Sequence, residues 1–209
     1  MKAIEPMAHS LHRKTILSTF TGMAFSTWLA TCPAASAAAD PVRVKLSTSA
    51  GDIRLELYPD HAPKTVTNFV QYVKDRHYDG TLFHRVIDGF MIQGGGFDAS
   101  YAQKPTRPPV AHEGREALAS GGLRNTVGTI AMARTSDPQS ATAQFFINVK
   151  DNTFLDPNMQ SWGYTVFGKV VSGMDVVNAI KSAPTGPGGP FPSDVPKTPI
   201  TLLKATLEN

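Results

Sequence analysis

Alternation of apolar and polar residues predicts that most of the chain after residue 40 forms β-strands. Apolar side chains occupy every second position in 42–46 and again in 53–57, and the turn-forming sequence Ser49-Ala50-Gly51-Asp52 lies between the two runs. This pattern is typical of an antiparallel hairpin, because successive side chains of a strand point to opposite faces. The same criteria predict six further strands, at 81–87, 90–93, 129–133, 145–149, 166–171 and 198–206.

Two segments show helical periodicity instead. Pro63 suits the first turn of a helix, and apolar residues follow it at 66, 69, 70 and 73, with the spacing of one helix face. A shorter apolar stripe predicts a second helix over 174–181. Eight strands and two helices predict a mainly β fold, a closed eight-stranded antiparallel β-barrel capped by two α-helices, because closure removes exposed strand edges.

Two long connections, 98–127 and 183–197, lack this periodicity and are predicted as loops. The first carries Pro105, Pro108 and Pro109, and the second holds five prolines and three glycines. Long loops in a compact domain are often functional. A strand pattern follows the second loop at once, so we interpret it as a surface loop that ties the last strand to the barrel.

The first 39 residues have the layout of a secretory signal peptide. Basic residues precede an apolar run over 16–29, and small residues follow over 34–39. We expect cleavage after Ala37 or Ala39, which leaves a single exported domain over 40–209.

Two alternatives to cleavage remain open. A membrane anchor needs about 20 apolar residues, which is longer than this run. Lipid attachment at Cys32 is the other alternative, since Leu29-Ala30-Thr31-Cys32 resembles a lipoprotein box, although Thr31 stands where such boxes carry a smaller residue. We expect cleavage, and therefore no stable membrane association of the mature chain.

The charge balance argues against a nucleic-acid partner. The chain carries 20 Lys and Arg against 17 Asp and Glu, a net charge of +3. Because Lys2, Arg13, Lys14 and Glu5 lie in the first 39 residues, the remainder has 17 basic and 16 acidic residues, a net charge of +1. No basic run remains there, and the aromatic residues are not interleaved with basic ones. The single cysteine, Cys32, excludes an intrachain disulfide and a zinc site built on paired cysteines.

Cofactor and metal motifs are either missing or out of context. The sequence Gly94-Gly95-Gly96-Phe97-Asp98-Ala99 matches the dinucleotide pattern G-x-G-x-x-A, but residues 100–105 show no helical stripe to hold a pyrophosphate. The other interpretation of the glycines is a bulge or a tight bend. The four histidines after residue 39 are not spaced i, i+4. We therefore expect no cofactor and no metal.

One stretch carries the candidate chemistry: Phe83-His84-Arg85-Val86-Ile87-Asp88-Gly89-Phe90-Met91-Ile92-Gln93-Gly94-Gly95. In a regular strand Phe83, Arg85 and Ile87 share one face, so Arg85 lies among apolar side chains. Its guanidinium either extends past them into solvent or is directed at a ligand. The spacing alone leaves both interpretations open.

Together with Gln144-Phe145-Phe146-Ile147 and Val166-Phe167-Gly168-Lys169-Val170, this stretch resembles the cyclophilins, the cyclosporin-binding family of peptidyl-prolyl cis-trans isomerases. The resemblance runs from about residue 42 to the C-terminus and is closest to periplasmic bacterial members. It implies an eight-stranded barrel capped by two helices, in agreement with the element count. It also implies an enzyme that accelerates X-Pro isomerisation in exported, folding proteins without a covalent intermediate or a cofactor.

The resemblance implies roles for particular side chains. Arg85 matches the catalytic arginine, which directs a hydrogen-bond donor at the amide nitrogen of the rotating bond. Gln93 and Gln144 match side chains that hydrogen-bond the substrate backbone or hold the shape of the site. Ala133 and Arg134 match the strand edge that pairs with the bound peptide. The residues that match the apolar proline pocket are Phe90, Met91, Phe146, Leu155 and Tyr164.

Three positions depart from the pattern of many eukaryotic members. Phe154 stands where they have a tryptophan that hydrogen-bonds cyclosporin, Tyr164 replaces a histidine, and Arg134-Thr135 replaces a smaller pair. Because phenylalanine has no N–H to donate, the resemblance implies retained isomerase activity with weak cyclosporin binding. The expected partners are unfolded or partly folded proline-containing polypeptides, bound by a monomer. The alternative function is a proline-peptide binding or chaperone module whose turnover is incidental.

Overall fold

The computed structural model describes residues 39–208, so the predicted signal peptide lies outside the described residues except for its last position, Ala39. The helices are α1 (Pro63–Lys74), α2 (Gly114–Ala119) and α3 (Met174–Lys181), with a 3-10 turn at Thr153–Leu155. The strands are β1 (Val42–Thr48), β2 (Gly51–Leu57), β3 (Thr81–Leu82), β4 (Arg85–Ile87), β5 (Met91–Gly94), β6 (Thr129–Met132), β7 (Phe145–Asn148), β8 (Val166–Ser172), β9 (Thr185–Gly188), β10 (Phe191–Pro196) and β11 (Thr201–Glu208).

A curled antiparallel sheet dominates the described residues, which confirms the mainly β fold. Its strand order is β3-β11-β1-β2-β8-β6-β7-β5-β4. The two outermost strands, β3 and β4, are consecutive parts of one segment, which the sequence predicts as a single strand over 81–87. The segment therefore bridges the two ends of the sheet, pairing with β11 through its first half and with β5 through its second.

The interruption of this segment corrects the expectation that Phe83, Arg85 and Ile87 share one face. The Phe83 amide donates to the carbonyl of Ile200, the residue directly before β11. The Phe83 side chain is buried in the interior core. Regular alternation resumes only at β4, where Val86 points inward while Arg85 and Ile87 point outward. The period of two holds only within a continuous strand.

The interior core is built from residues that lie in register on neighbouring strands. Val86 pairs with Ile92, Ile92 with Ile147, and Ile147 with Ile130, across β4, β5, β7 and β6. All four side chains are almost completely buried. Burying each such side chain stabilises the fold by about 1.5–3 kcal/mol, so this row strongly favours one register.

Helix α1 begins at Pro63, as predicted, but it is capped by a distant residue. Its N-cap, Ala62, has no side chain able to cap it. The buried carboxylate of Glu113 instead accepts hydrogen bonds from the amides of Lys64 and Thr65, at 3.0 and 2.7 Å. A carboxylate in this position satisfies free N–H groups and favours the positive end of the helix dipole. Residues 110–114 are thereby anchored to α1.

The predicted second helix is α3, with its predicted bounds, but both predicted loops contain regular structure. Within 98–127 the chain forms α2, and within 183–197 it forms the hairpin of β9 and β10. Strand β9 has the sequence Thr185-Gly186-Pro187-Gly188, in which no apolar alternation is present. Phe191 anchors the hairpin by packing on Phe97, with 5.1 Å between ring centroids. Such tertiary packing overrides a composition that favours loops.

Two features are absent from residues 39–208. No helix there is long and apolar enough to cross a membrane. In the same part of the chain, no three His, Cys, Asp or Glu side chains are grouped so that they could hold a metal ion.

His84 lies in the interruption between β3 and β4 and is 2% exposed. Its ring centroid lies 4.7 Å from that of Phe97 and 5.4 Å from that of Phe191. Burial lowers the pKa of His84 from 6.5 to about 4, and the charge of Arg85 acts in the same direction. The native protein therefore holds this ring neutral, although an unfolded chain protonates it below pH 6.5.

We expect His84 to make the fold sensitive to acid. The neutral ring favours the native state above pH 6.5, and this contribution is lost as the pH falls from 6.5 through about 4. Urea unfolding at pH 7 and pH 4 should show that the wild type loses about 3 kcal/mol more than His84→Gln, which does not titrate. The control, His61→Gln at a partly exposed histidine, should lose as much as the wild type. Equal losses for His84→Gln and the wild type would contradict the prediction.

Candidate active site

The candidate site lies on the outer face of the sheet. Its residues are adjacent in sequence to the four paired core residues of β4, β5, β7 and β6. Arg85 pairs with Gln93, Gln93 with Phe146, and Phe146 with Ala131, across β4, β5, β7 and β6. Because neighbouring positions in each strand point inward, these four side chains point outward together. The register that forms the core therefore also brings a guanidinium, an amide and an aromatic ring into one row.

A second apolar cluster, separate from the interior core, forms the floor of the site. It consists of Met91, Ala131, Phe146 and Val166, which are all buried. The segment 149–165 passes over this face of the sheet and contributes Leu155 and Tyr164 to the cluster. The Tyr164 ring lies edge-on to Phe146, with 5.4 Å between centroids and 84° between planes.

These residues surround a cavity of about 170 Å³. A pocket for a drug-sized ligand has about 300–1,000 Å³, so this cavity suits a single small side chain or ring. Its lining residues are Arg85, Phe90, Met91, Gln93, Ala133, Arg134, Phe146, Leu155 and Tyr164. The structure therefore brings together nine of the eleven residues that the sequence singles out, while their roles in binding and catalysis remain predictions.

The other two predicted residues lie next to this cavity. Phe154 is 69% exposed and stacks on Phe90, with 6.0 Å between centroids and 20° between ring planes. Gln144 lines an adjoining cavity of about 320 Å³, which shares Gln93, Ala133 and Arg134 with the first. The side chain of Gln144 acts on the first cavity through Gln93, because its Oε1 accepts a 2.9 Å hydrogen bond from Gln93 Nε2.

Arg85 has a guanidinium that is largely free to bind a ligand. Its side chain is exposed at the rim of the cavity, and Nη1 lies 3.5 Å from Gln93 Oε1, which is a long and weak hydrogen bond. None of the ion pairs within residues 39–208 includes Arg85. A guanidinium offers five N–H donors, so several remain available to a molecule in the cavity.

Arg134 is held firmly, in contrast. Its Nε and Nη2 donate to the carbonyl of Gly163 at 3.0 and 2.9 Å, and Nη1 donates to the carbonyl of Thr135 at 2.8 Å. The guanidinium carbon also lies 4.6 Å from the centroid of the Tyr164 ring, in a cation–π arrangement. Arg134 therefore forms a fixed wall of the cavity.

Buried amides support the segment 149–165 from beneath. The Asn152 side chain donates to the carbonyl of Phe90 and to Asn148 Oδ1, both at 2.8 Å. Asp156 Oδ1 accepts from the Asn125 amide at 2.7 Å. Each bond links the segment to the sheet or to its neighbouring loop, so Phe90 and the residues on the opposite wall have fixed positions.

The glycine run at 94–96 shapes the site and begins no helix. Gly95 has φ +85°, a backbone conformation that favours glycine, and the chain continues into an irregular segment. A Cβ on Gly96 would lie 2.5 Å from the Gln144 side chain. The absence of side chains here therefore makes room for Gln144, which agrees with a tight bend and disagrees with a dinucleotide site.

The predicted peptide-pairing edge at Ala133 and Arg134 follows directly after β6, which ends at Met132. The Ala133 amide donates to the carbonyl of Gln144 at 2.9 Å, so it is engaged within the protein. Pairing of the other main-chain groups of Ala133 and Arg134 with a peptide stays a prediction.

Sequence reasoning missed part of the surroundings of the site. The adjoining cavity is also lined by Gln103, Thr106, Thr135, Ser140 and Thr142. These residues lie in irregular segments, where no periodic pattern points to a shared location. His112 Nε2 lies 3.3 Å from the carbonyl oxygen of Gly163. Sequence reasoning missed this contact as well, because a lone histidine and a lone glycine carry no signal of it.

The sequence of this chain matches a family model and several curated proteins. The family model described as "Cyclophilin type peptidyl-prolyl cis-trans isomerase/CLD" matches residues 43–207. The chain is 54% identical over 167 residues to the peptidyl-prolyl cis-trans isomerase cyp18 of Streptomyces antibioticus, covering 78% of this chain and 97% of that one. It is 50% identical over 167 residues to peptidyl-prolyl cis-trans isomerase B of Escherichia coli, covering 78% and 98%.

Solved structures show the same fold. A cyclophilin-type isomerase of Cryptosporidium parvum superposes with a TM-score of 0.62 at 23% identity, covering 81% of this chain and 98% of that one. The cyclophilin AquaCyp293 of Hirschia baltica has a TM-score of 0.56 at 25% identity, covering 79% and 73%. The chain belongs to the cyclophilin-type family. It is a peptidyl-prolyl cis-trans isomerase.

Proposed function

We propose that this isomerase acts at the 170 Å³ cavity on X-Pro bonds of exported polypeptides as they fold. The observation that carries this proposal is the free guanidinium of Arg85 at the rim of a small apolar cavity. The cavity matches a proline ring in size and polarity. A structure of the related Cryptosporidium parvum protein was obtained in the presence of the dipeptide Ala-Pro, which fits the same class of ligand.

The reaction requires little chemistry. Rotation about a peptide bond meets a barrier of about 18–20 kcal/mol, which arises from amide resonance. A 10⁵-fold acceleration removes about 7 kcal/mol of this barrier, at about 1.4 kcal/mol per factor of ten. No covalent bond breaks, so neither a nucleophile nor a cofactor is needed.

Arg85 supplies the stabilisation that distinguishes the transition state from the planar substrate. A twisted amide has its lone pair localised on the nitrogen, and a donor directed at that nitrogen stabilises the twisted form more than the planar one. Arg85 stays charged at every physiological pH and offers donors in a planar fork. Met91, Phe146 and Leu155 line the cavity, and their apolar surface holds the proline ring while the preceding residue rotates.

The alternative is a peptide-binding or chaperone module in which isomerisation is incidental. Apolar contacts and main-chain hydrogen bonds suffice for binding a peptide. A free guanidinium at the rim adds nothing to the burial of a proline ring, whereas it is needed at the rotating bond. Arg85 therefore favours catalysis as the main role.

Replacing Arg85 should separate catalysis from binding. We expect kcat/KM for a short X-Pro peptide to fall at least 100-fold in Arg85→Ala, as when other preorganised donors are removed. The affinity for the peptide, measured by titration, should change less than fivefold, because the apolar lining is intact. Arg85→Lys should recover only part of the activity, since it lacks the planar fork.

The matched control is Arg43→Ala, which removes an arginine from β1 whose partner is Glu56. This variant should isomerise the peptide at the wild-type rate. Wild-type kcat/KM in Arg85→Ala would refute both the catalytic role and the proposed location of the site.

We also propose that the protein is exported to the periplasm and processed after Ala37 or Ala39. The support is the basic, apolar and small-residue pattern of 1–39. Both cleavage sites precede β1, which begins at Val42, so the fold does not depend on which is used. No cysteine follows Cys32, and the processed chain therefore has no thiol to oxidise in that compartment.

Mass spectrometry of the exported protein tests this proposal. We expect an N-terminus at Ala38 or Asp40 and a monomer mass under native conditions. An uncleaved Met1, a lipid-modified Cys32 or a dimer mass would contradict the corresponding part of the proposal.

Weak cyclosporin binding follows from Phe154. Its ring stacks on Phe90 and has no N–H with which to donate a hydrogen bond. We expect Phe154→Trp to lower the concentration of cyclosporin that inhibits the enzyme by about tenfold, equivalent to one added hydrogen bond of about 1.4 kcal/mol. Phe154→Leu, which also lacks an N–H, should not do so. Tight inhibition of the wild type at stoichiometric drug would contradict the prediction.

A further inference from the structure

One carbonyl oxygen in the wall of the cavity receives hydrogen bonds from two distant side chains. The carbonyl of Gly163 accepts from Arg134 at 3.0 and 2.9 Å, and it lies 3.3 Å from His112 Nε2. Tyr164, the next residue, lines the cavity and lies beneath the Arg134 guanidinium. The position of this carbonyl therefore determines where two of the lining residues lie.

The bonds of His112 define its protonation state. The Gly114 amide donates to Nδ1 at 3.2 Å, so Nδ1 is the acceptor nitrogen and carries no proton. In a neutral ring the proton then resides on Nε2, from which it is donated to the Gly163 carbonyl. Both ring nitrogens are satisfied only when the imidazole is neutral.

The backbone of His112 is itself held in place. Its amide donates to Gln139 Oε1 at 2.9 Å, and the following residue, Glu113, is the buried cap of α1. At the acceptor end of the His112 hydrogen bond, Gly163 has φ +61°, and a Cβ there would lie 2.4 Å from the nitrogen of Pro157. The histidine thus forms a link between an anchored segment and a closely packed turn.

We propose that His112 is a positioning residue of the isomerase, which in its neutral form holds the Gly163 carbonyl and, through it, the Arg134 and Tyr164 wall of the proline cavity. The role rests on the proposed location of the active site. His112 does not line the cavity, and it acts only through Gly163.

The charges around His112 make the link sensitive to pH. Burial lowers the pKa of His112 below 6.5, and the positive charges of Arg134 and Arg115 lower it further, while the bond to Gly163 and the charge of Glu116 raise it. Trp162, whose ring packs edge-on against His112, is uncharged, and it binds Arg115 through its face at 4.4 Å. Below the depressed pKa, a proton on Nδ1 opposes the Gly114 amide and adds a third positive charge beside the two arginines.

Two near-isosteric substitutions separate the bonds of the ring. His112→Gln carries an N–H₂ group that reaches the position of Nε2, so it retains the donor to Gly163. His112→Asn carries its oxygen near the position of Nδ1, so it retains only the acceptor for Gly114. Neither side chain titrates. The processed enzyme and an X-Pro peptide serve as the assay, with kcat and KM measured from pH 5 to pH 8.

At pH 7.5 we expect His112→Gln to have a KM within twofold of the wild type, and His112→Asn to have a KM raised about five- to tenfold with kcat changed less than twofold. The wall contacts the substrate in the ground state and in the transition state alike, so its loss weakens binding more than turnover. As the pH falls below 6.5, the wild type should lose kcat/KM when His112 gains its proton, whereas both variants should lack this loss. His84, whose pKa burial lowers to about 4, is present in the wild type and in both variants, so its protonation does not distinguish them.

The control His61→Gln, at a histidine that contacts Ser120 and not the cavity, should keep the wild-type profile. Equal KM values for His112→Gln and His112→Asn would overturn the proposal, and so would a wild-type pH profile in His112→Gln. If His112→Asn folds poorly, the pH profile of His112→Gln alone tests the proposal. If the His112 substitutions leave kcat, KM and the pH profile unchanged while Arg85→Ala is inactive, only this inference fails. Wild-type activity in Arg85→Ala would remove the proposed function itself.

Discussion

The shared register of β4, β5, β7 and β6 is the constraint on which the site depends. In each strand the side chains alternate between two faces, so the row that includes Ile92 and Ile147 in the core requires its neighbours Gln93 and Phe146 to point outward. A slip of one residue would exchange the two rows, placing Arg85 in the interior at a large energetic cost. The hydrophobic core therefore holds the candidate catalytic row in place, and the geometry of the site is a consequence of stability.

The sheet provides the floor of the cavity, and one part of its wall comes from segment 149–165, which has almost no regular structure. Its position depends on individual polar groups: Asn152 binds the backbone at Phe90, and the Gly163 carbonyl binds Arg134 and His112. Such bonds contribute about 0.5–1.5 kcal/mol each, far less than the core row does in total. The wall is therefore the part of the site that pH or substitution can alter while the fold persists.

This division explains what could be predicted from the sequence. The strands that carry the outer row could be predicted because their alternation is visible in consecutive residues, whereas Gln93, Phe146 and Tyr164 were assigned to the site only through the family resemblance. The prediction that Phe83 shares a face with Arg85 was wrong because the strand is interrupted there. A hydrogen bond from the Phe83 amide to the distant Ile200 carbonyl replaces the local strand pattern. His112 was missed because its contact with Gly163 spans 51 residues of chain and leaves no local signal.

The two arginines of the cavity show how one residue type serves two purposes. Arg134 donates to the carbonyls of Gly163 and Thr135 and stacks on Tyr164, so its charge is compensated by dipoles and a ring face. Arg85 has a single weak bond, to Gln93, and no acidic partner among the described residues. An uncompensated charge beside apolar walls contributes little to stability, but it interacts strongly with a lone pair that appears there. Adding a carboxylate next to Arg85 would stabilise the guanidinium in the free enzyme and, for that reason, weaken its preference for the twisted amide.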